Sequence, residues 1–359
     1  MRPRSALPVS ALLALLLGAP LAGRAQPAGR LVVDTIPAPS LAGNLLGDPA
    51  RQAAFVYLPP GYDAEPERRY PTLYLLHGIL YSHEVWVEPV YQGMTIQATM
   101  DSLIAAGEIG PAIVVVPNGR NAYGASGWMN SAVAGRWGDY VAEDVVGWAD
   151  RTYRTLPRAE SRAIVGHSMG GFGAIRLAML HPDVFSVAWG MNPCCLCCLE
   201  ADMEVDPEVW RRIRQAPSIA ALWEALEESG DIWPLILAGM WTLLLPDPDA
   251  PPFYYDPPIR EEDGRLVPDG SAERIAAQLP LAQAAEHVEA LRSLRGLAFD
   301  SAFDDEYGHI PLATKAFSDT LEALEVPHLY EVYEGDHRDR MRERMATTIL
   351  PWVDERLAR

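Results

Sequence analysis

The stretch Arg162-Ala163-Ile164-Val165-Gly166-His167-Ser168-Met169-Gly170-Gly171 decides the fold class of this chain. It reads as a short buried strand, a G-x-S-x-G pattern and the start of a helix. Such a turn needs glycine two residues before and two after the serine, because side chains there would collide with neighbouring backbone. A glycine-rich turn with an ordinary capping serine is the alternative. The position between strand and helix favours a nucleophile at Ser168.

Strand-like segments recur on both sides of this stretch. Eight short apolar segments predict strands at 31–36, 53–58, 72–76, 112–116, 162–165, 185–189, 296–299 and 328–333. From the third onward they are β-branched or aliphatic nearly throughout, which is typical of strands buried on both faces. Helical patterns lie between them, so we expect an α/β fold with a mostly parallel sheet. The first two segments are joined by a Pro/Gly-rich stretch, which predicts an antiparallel start.

Helices are predicted between these strands and at the end of the chain. Apolar stripes at helical spacing indicate helices at 139–153, 170–180, 312–324 and 338–356. The strand pattern stops between about 200 and 294, which we interpret as an insertion in a single catalytic domain of residues 26–359. Trp233, Met240 and Trp241 within it have the spacing of one helical face. Both a lid over an acyl pocket and ordinary core packing fit that spacing.

The net charge of the chain excludes one class of binding partner. The formal net charge is -19, and removal of the three arginines before residue 26 would make it -22. A chain so acidic is repelled by phosphate backbones, so we expect no nucleic-acid partner. Charge and composition say nothing about the oligomeric state.

The first 25 residues read as an export signal. Arg2 and Arg4 precede the apolar run from Ala11 to Leu17, and Gly23-Arg24-Ala25 supplies a small-x-small cleavage site. The run is far short of the roughly 20 residues that span a bilayer, so we expect a secreted or periplasmic protein without stable membrane insertion.

All four cysteines fall within Cys194-Cys195-Leu196-Cys197-Cys198. In an oxidising compartment this cluster predicts one or two short-range disulfides. A metal cluster is the less favoured alternative, because ligands so close in sequence rarely complete a tetrahedron. We expect no metal and no cofactor.

A serine nucleophile needs a histidine base and a carboxylate, in the chain order Ser, Asp or Glu, His. Among the downstream histidines we favour His337, which follows the last predicted strand in a loop where a base can reach the serine. His309 is the second candidate, whereas His287 reads as a surface residue and His328 as a packed one. The acid is expected in the acidic run from Asp300 to Glu306, which follows the preceding strand.

An oxyanion hole needs two backbone donors. The Met169 amide follows the serine at the start of a helix, where amide dipoles favour negative charge. The bend His77-Gly78-Ile79-Leu80 after the third strand would supply the second donor, the Ile79 amide. We interpret His77 itself as structural, and the loop aromatics Trp86 and Trp128 as candidates to border the substrate.

Further motifs lie along the chain. In order they are Leu58-Pro59-Pro60-Gly61-Tyr62, Tyr70-Pro71, Leu75-Leu76-His77-Gly78, Asn130-Ser131, Gly135-Arg136-Trp137-Gly138-Asp139-Tyr140, the Gly166–Gly171 turn with Phe172-Gly173-Ala174, and His181-Pro182-Asp183-Val184-Phe185. With these motifs the chain resembles the esterase family of α/β hydrolases that holds feruloyl esterases, S-formylglutathione hydrolases and mycobacterial mycolyltransferases. The likeness spans most of the chain after residue 26.

The resemblance implies an eight-stranded α/β-hydrolase sheet, Ser168 as nucleophile, and the Ile79 and Met169 amides as oxyanion donors. Family members usually carry a glycine three residues before the acid. Ala302 stands there in this chain and points to Asp305, with the adjacent Asp304 as the alternative. The family's aromatic residue two positions after the base is replaced here by Asp339, which leaves the local packing of His337 open.

The function expected from these residues is hydrolysis of a small-molecule or polymer-linked carboxylic ester through an acyl-serine intermediate. An acyltransferase with the same triad is the nearest alternative, because it differs only in the second acceptor. A non-catalytic exported binding protein that kept the fold is the alternative from another class.

Overall fold

The computed structural model describes residues 28–197, 206–263 and 265–359. The export signal predicted at 1–25 lies outside these residues, as does Cys198. None of the helices in the described ranges is long and apolar enough to cross a membrane.

The central element is an eight-stranded sheet. Its strands, with the short hairpin strands included in chain order, are β1 (Arg30–Pro37), β2 (Arg51–Leu58), β3 (Thr72–Leu76), β4 (Ile113–Pro117), β5 (Asn130–Ser131), β6 (Gly135–Arg136), β7 (Arg162–His167), β8 (Val187–Met191), β9 (Ile259–Glu262), β10 (Arg265–Pro268), β11 (Gly296–Ala302) and β12 (Leu329–Tyr333). The sheet order is β1-β2-β4-β3-β7-β8-β11-β12, and β5-β6 and β9-β10 form separate two-stranded ribbons.

The first two strands pair antiparallel, and β2 pairs antiparallel with β4. From β4 to β12 every neighbouring pair is parallel. All eight predicted strands are therefore present, and the α/β fold class with an antiparallel start is confirmed. Because β3, β7, β8, β11 and β12 run the same way, the loops after them meet at one edge of the sheet.

The helices of the described ranges are α1 (Ile96–Ala106), α2 (Trp137–Asp139), α3 (Val146–Thr152), α4 (Met169–Leu180), α5 (Pro207–Gln215), α6 (Ile219–Ser229), α7 (Trp233–Leu244), α8 (Ala272–Ala276), α9 (Pro280–Gln283), α10 (Val288–Ser293), α11 (His309–Ala323), α12 (Met341–Arg344) and α13 (Leu350–Arg356). Short 3-10 turns lie at Pro39–Leu41, His83–Trp86 and Ala159–Ser161. Helix α2 continues into α3 through the π segment Tyr140–Val145, and α12 into α13 through the π segment Met345–Ile349.

Helices cover both faces of the sheet. One buried cluster joins the sheet to α3, α4 and α11, and a second joins its other face to α1 and α13. A third cluster, built around Trp210, Leu222 and Trp241, packs α5, α6 and α7 against one another. These helices belong to the segment of sequence that connects β8 to β11. The predicted helices are present with shifted ends, whereas α1 had not been predicted.

Candidate active site

Ser168 occupies a strained turn between β7 and α4. Its backbone has φ 57° and ψ -119°, a conformation that residues with a side chain rarely adopt, and Met169 is already the first residue of the helix. The serine is 7% exposed and lies on the wall of a cavity. The turn predicted from the G-x-S-x-G pattern is therefore present, with its serine facing open space.

The flanking glycines are required by close backbone approach. A Cβ at Gly166 would overlap the carbonyl of Gly170, and a Cβ at Gly170 would overlap the carbonyl of Leu76 at the end of β3. Gly78, in the loop after β3, is also close, because its Cβ would lie 3.3 Å from Ser168 Cβ. The motif glycines thus let two loops converge on the serine.

His337 and Asp305 form a buried pair across 32 residues of sequence. His337 Nδ1 donates to Asp305 Oδ2 at 2.7 Å, and Asp305 Oδ1 accepts from the Tyr307 amide at 2.9 Å. A carboxylate oxygen only accepts, so Nδ1 carries a proton, and in the neutral ring Nε2 is the nitrogen with the lone pair. The neighbouring Asp304 is exposed, and the geometry pairs the histidine with Asp305.

Ser168 and His337 lie on the wall of the same cavity. Among the hydrogen bonds of the described residues, none joins Ser168 Oγ to His337 Nε2. Catalytic hydrogen bonds of this kind often form only once substrate is bound. What links the two residues in the unliganded protein is that both line the same cavity.

The histidine loop is held by groups that the sequence analysis did not single out. The carbonyl of His337 accepts from Asn192 Nδ2 and from His167 Nε2, both at 2.9 Å. Since a carbonyl only accepts, His167 Nε2 is protonated and its Nδ1 accepts from Tyr91 Oη at 2.9 Å. Burial holds the pKa of His167 well below its usual value, and the nearby His337 lowers it further. The only sequence signal for Asn192 was a polar residue directly after a buried strand.

The two amides expected in an oxyanion hole flank the serine. Met169 opens α4, so its N–H has no acceptor within the helix. Ile79 follows Gly78 in the loop that lies against Ser168, and among the backbone hydrogen bonds of the described residues its N–H is not a donor. Both residues line the cavity.

His77 is buried and bridges two loops, as expected of a structural residue. Its Nε2 accepts from the Gly119 amide and its Nδ1 donates to the Gly78 carbonyl, each at 2.9 Å. Burial lowers its pKa to about 4, so the ring is neutral at pH 7. It therefore fixes the loop that carries Ile79.

The cavity has a volume of about 410 Å³, and most of its wall comes from α7 and from the loops after β3, β4 and β11. Trp233 and Met240 line it, but Trp241 does not. Trp241 is fully buried on another side of α7, where its ring contacts Trp210 and Tyr255. The spacing predicted that all three residues share one helical face. Trp233 and Met240 do lie on the face that lines the cavity, and Trp241 does not.

Trp86 and Trp128 do not border the cavity, contrary to expectation. Both are fully buried, and Trp128 donates from Nε1 to the His77 carbonyl at 3.3 Å beneath the loop. Both residues lie in loops that follow strands at the edge of the sheet where the site is found. That position in the sequence does not show that their side chains point into the core.

The cysteine cluster follows β8 at the same edge of the sheet. Cys194 and Cys195 line the cavity with their Sγ atoms 2.9 Å apart, and Cys197 is disulfide-bonded. The hydrogen bond with Cys195, together with burial, raises the pKa of the Cys194 thiol well above its usual value. The prediction of at least one disulfide in this cluster is confirmed at Cys197.

The second base candidate, His309, is the first residue of α11 and also lines the cavity. It is Tyr307, two residues earlier, that packs edge-on against the His337 ring, with centroids 5.0 Å apart. The structure thus pairs Asp305 with His337 and places His309 beside them.

Comparisons with known proteins identify the family of this chain. The family model Esterase, described as Putative esterase, matches residues 49–253, more than half of the chain. An endo-1,4-beta-xylanase/feruloyl esterase of Xylanibacter ruminicola is 32% identical over 143 residues, which are 39% of this chain and 19% of that protein. An esterase of Mycobacterium tuberculosis is 32% identical over 144 residues, which are 37% of this chain and 27% of that protein. The chain thus spans less than a third of the length of these relatives.

Solved structures show the same fold at low identity. A ferulic acid esterase has a TM-score of 0.59 at 20% identity and covers 91% of this chain and 98% of its own. An S-formylglutathione hydrolase of Staphylococcus aureus has a TM-score of 0.56 at 16% identity and covers 90% of this chain and 98% of its own.

Proposed function

The chain belongs to the esterase family of carboxylic ester hydrolases, and from that membership we propose that it cleaves its ester through an acyl-enzyme on Ser168. The observation that carries this proposal is the buried Asp305–His337 pair, whose histidine lies on the wall of the cavity that also holds the strained serine. We assign Ser168 as nucleophile, His337 as base and Asp305 as the acid that orients it.

The reaction follows from these positions. His337 Nε2 removes the proton of Ser168 Oγ as the oxygen attacks the ester carbonyl, and the imidazolium that forms is stabilised by the Asp305 carboxylate. The Met169 and Ile79 amides stabilise the tetrahedral oxyanion. His337 then protonates the departing alcohol, and water, activated by the same histidine, releases the acid from the serine. No step requires a cofactor.

We propose further that the chain is exported and acts outside the cytoplasm on a small-molecule or polymer-linked ester. This rests on the amino-terminal pattern, whose cleavage after Ala25 would leave Gln26 as the first residue. Because one relative is named a feruloyl esterase, ferulate esters belong in a substrate panel beside simple acyl esters.

The test is covalent labelling of the protein with a fluorophosphonate, followed by mass spectrometry. We expect one adduct, on Ser168, and in protein recovered from the medium or periplasm an amino-terminal peptide that begins at Gln26. A folded protein that takes no adduct, or takes it on another residue, would overturn the nucleophile assignment. Retention of residues 1–25 would overturn the export proposal.

Variants separate the two acid candidates. We expect Ser168→Ala to lower kcat by about 10⁵- to 10⁶-fold. Asp305→Asn should lower it by about 10⁴-fold, because the amide favours the wrong tautomer of His337. Asp304→Asn is the matched control and should keep the wild-type kcat, since Asp304 is exposed. Steady-state hydrolysis of p-nitrophenyl acetate measures all three, and a larger loss in the Asp304 variant than in the Asp305 variant would reverse the assignment.

A further inference from the structure

We propose that the cavity beside Ser168 binds an unbranched aliphatic acyl chain of about eight to twelve carbons, so that the preferred substrates are medium-chain fatty acyl esters. This inference rests on the proposed function and names the substrate class of the same site. Three properties support it: the residues that line the cavity, the low polarity of that lining, and the volume of the cavity.

The wall contributed by α7 is apolar apart from the indole N–H of Trp233 at its start. Its lining side chains are Leu235, Ile236, Leu237, Met240, Leu243 and Leu244. Helix α7 contains no charged residue between Trp233 and Leu244. The same cavity is also lined by Ile79, Met129, Phe172 and Leu279. Flexible aliphatic and thioether side chains of this kind adapt to an alkyl chain.

Several polar groups of the wall contact His337 or have partners within the protein. The Tyr123 hydroxyl donates to the Phe253 carbonyl at 3.0 Å, so this residue offers the cavity its ring. Tyr307 packs against His337, which places it beside the reacting groups, and His309 lines the cavity at the start of α11. Arg338, next to His337, lies 3.6 Å from the Glu306 carboxylate.

A polar acyl group would therefore lack a hydrogen-bonding partner along the aliphatic and thioether lining of α7. The phenolic hydroxyl of a hydroxycinnamoyl group would lose its water there without a replacement hydrogen bond, which is unfavourable. An alkyl chain loses nothing and gains burial with each methylene. The chemistry of the wall thus favours a fatty acyl group over an aromatic acid that bears hydroxyls.

The volume sets the length of the chain. A group the size of water or a methylene takes up roughly 30 Å³, so a cavity of about 410 Å³ holds on the order of a dozen heavy atoms. After the ester group itself is counted, an acyl chain of about ten carbons fills the space. Longer chains must leave the cavity and gain no further contact.

The first experiment varies one side of the ester at a time. With p-nitrophenyl esters from acetate to palmitate, we expect kcat/KM to rise by about four-fold per methylene, the factor for full burial of a CH₂, and to level off or fall beyond about twelve carbons. With acetate esters of alcohols from ethanol to decanol, we expect a much shallower dependence. If kcat/KM instead rises steeply with the length of the alcohol, the leaving group occupies the cavity and the proposal is overturned.

The second experiment changes the cavity itself. Met240→Trp fills it, and should reduce the ratio of kcat/KM for decanoate to that for acetate by at least ten-fold. Met240→Ala enlarges it, and should move the optimum to longer chains by one or two carbons. Val33→Trp adds the same ring at an exposed position on β1 and should leave the profile as in the wild type. If Met240→Trp does not fold, the Met240→Ala shift alone decides.

Failure of this inference is distinct from failure of the proposed function. A protein that labels at Ser168 and hydrolyses p-nitrophenyl acetate, but shows a flat or falling chain-length profile or a preference for ferulate esters, refutes the fatty acyl assignment and leaves the serine mechanism intact. A protein that takes no fluorophosphonate refutes both.

Discussion

Residue 168 shows how a single backbone conformation creates the site. The left-handed φ of Ser168 turns the chain sharply enough to project its hydroxyl into the cavity, and this strain is maintained by the packing of β3 and α4 around it. Neither element can approach so closely unless Gly166 and Gly170 lack side chains. The glycines therefore determine the position of the nucleophile, although they take no part in the chemistry.

We expect Gly170→Ala to destabilise the protein by about 3 kcal/mol or more, because its Cβ would overlap the Leu76 carbonyl, which belongs to a central strand and cannot move freely. Gly308→Ala is the matched control. Gly308 has open space around a Cβ and a φ of -54°, so its substitution should change stability by less than about 1 kcal/mol. Urea unfolding followed by circular dichroism measures both, and equal effects would show that the elbow is not tightly packed.

Among the elements, the C-terminal helix is tied to the sheet by a buried ion pair. Arg344 on α12 lies 2.9 Å from the Asp300 carboxylate on β11, and both side chains are almost fully buried. Asp300 also accepts from Trp189 Nε1 at 2.5 Å and from the Asn192 amide at 3.0 Å. This carboxylate therefore joins β8, β11 and α12 directly below the loop that carries His337.

We expect Arg344→Met to destabilise the protein by about 3 to 5 kcal/mol, because it leaves the Asp300 charge buried without its cation. The double variant Asp300→Asn with Arg344→Met should lose less than the single variant, since no uncompensated charge remains. Arg342→Met changes an exposed arginine of the same helix and should change stability by less than about 0.5 kcal/mol. Thermal and urea unfolding measure the stability of each variant. If the double variant is no more stable than Arg344→Met alone, the unpaired Asp300 charge is not the cause of the loss.

At the scale of the whole molecule, buried histidines make stability depend on pH. Burial lowers the pKa of His77 to about 4, and burial also lowers those of His83 and His167. Between a folded pKa near 4 and the ordinary value near 6.5, the unfolded chain binds more protons than the folded one. The free energy of unfolding must therefore fall as the pH decreases through this window.

We expect a loss on the order of 2 kcal/mol between pH 7 and pH 5 from His77 alone. Asp48 acts in the opposite direction, because burial raises its pKa to about 6 and the folded state then takes up a proton first. Asp48→Asn removes this offset and should make the loss steeper. Urea midpoints at both pH values test the prediction, and a variant with a shallower loss than the wild type would contradict the assigned sign.

Much of the fold was predictable because its signals are local. The eight strand segments and the elbow were read from short runs of residues, since strand burial and glycine placement act over a few positions. Helix α1 was missed although Thr95 caps its start and Gly107 its end in the way helices usually begin and end. Those capping residues were a usable signal within the sequence.

The sequence by itself determined the strand–serine–helix unit, the mostly parallel sheet and the short set of acids and bases that follow it. Only the tertiary structure decided that His337 meets Asp305 and not Asp304, that Trp233 and Met240 line the cavity while Trp241 packs into the core, and that Trp86 and Trp128 are buried. Adjacent residues share one local pattern, but the side that each faces depends on loop paths and on packing between segments far apart in the chain.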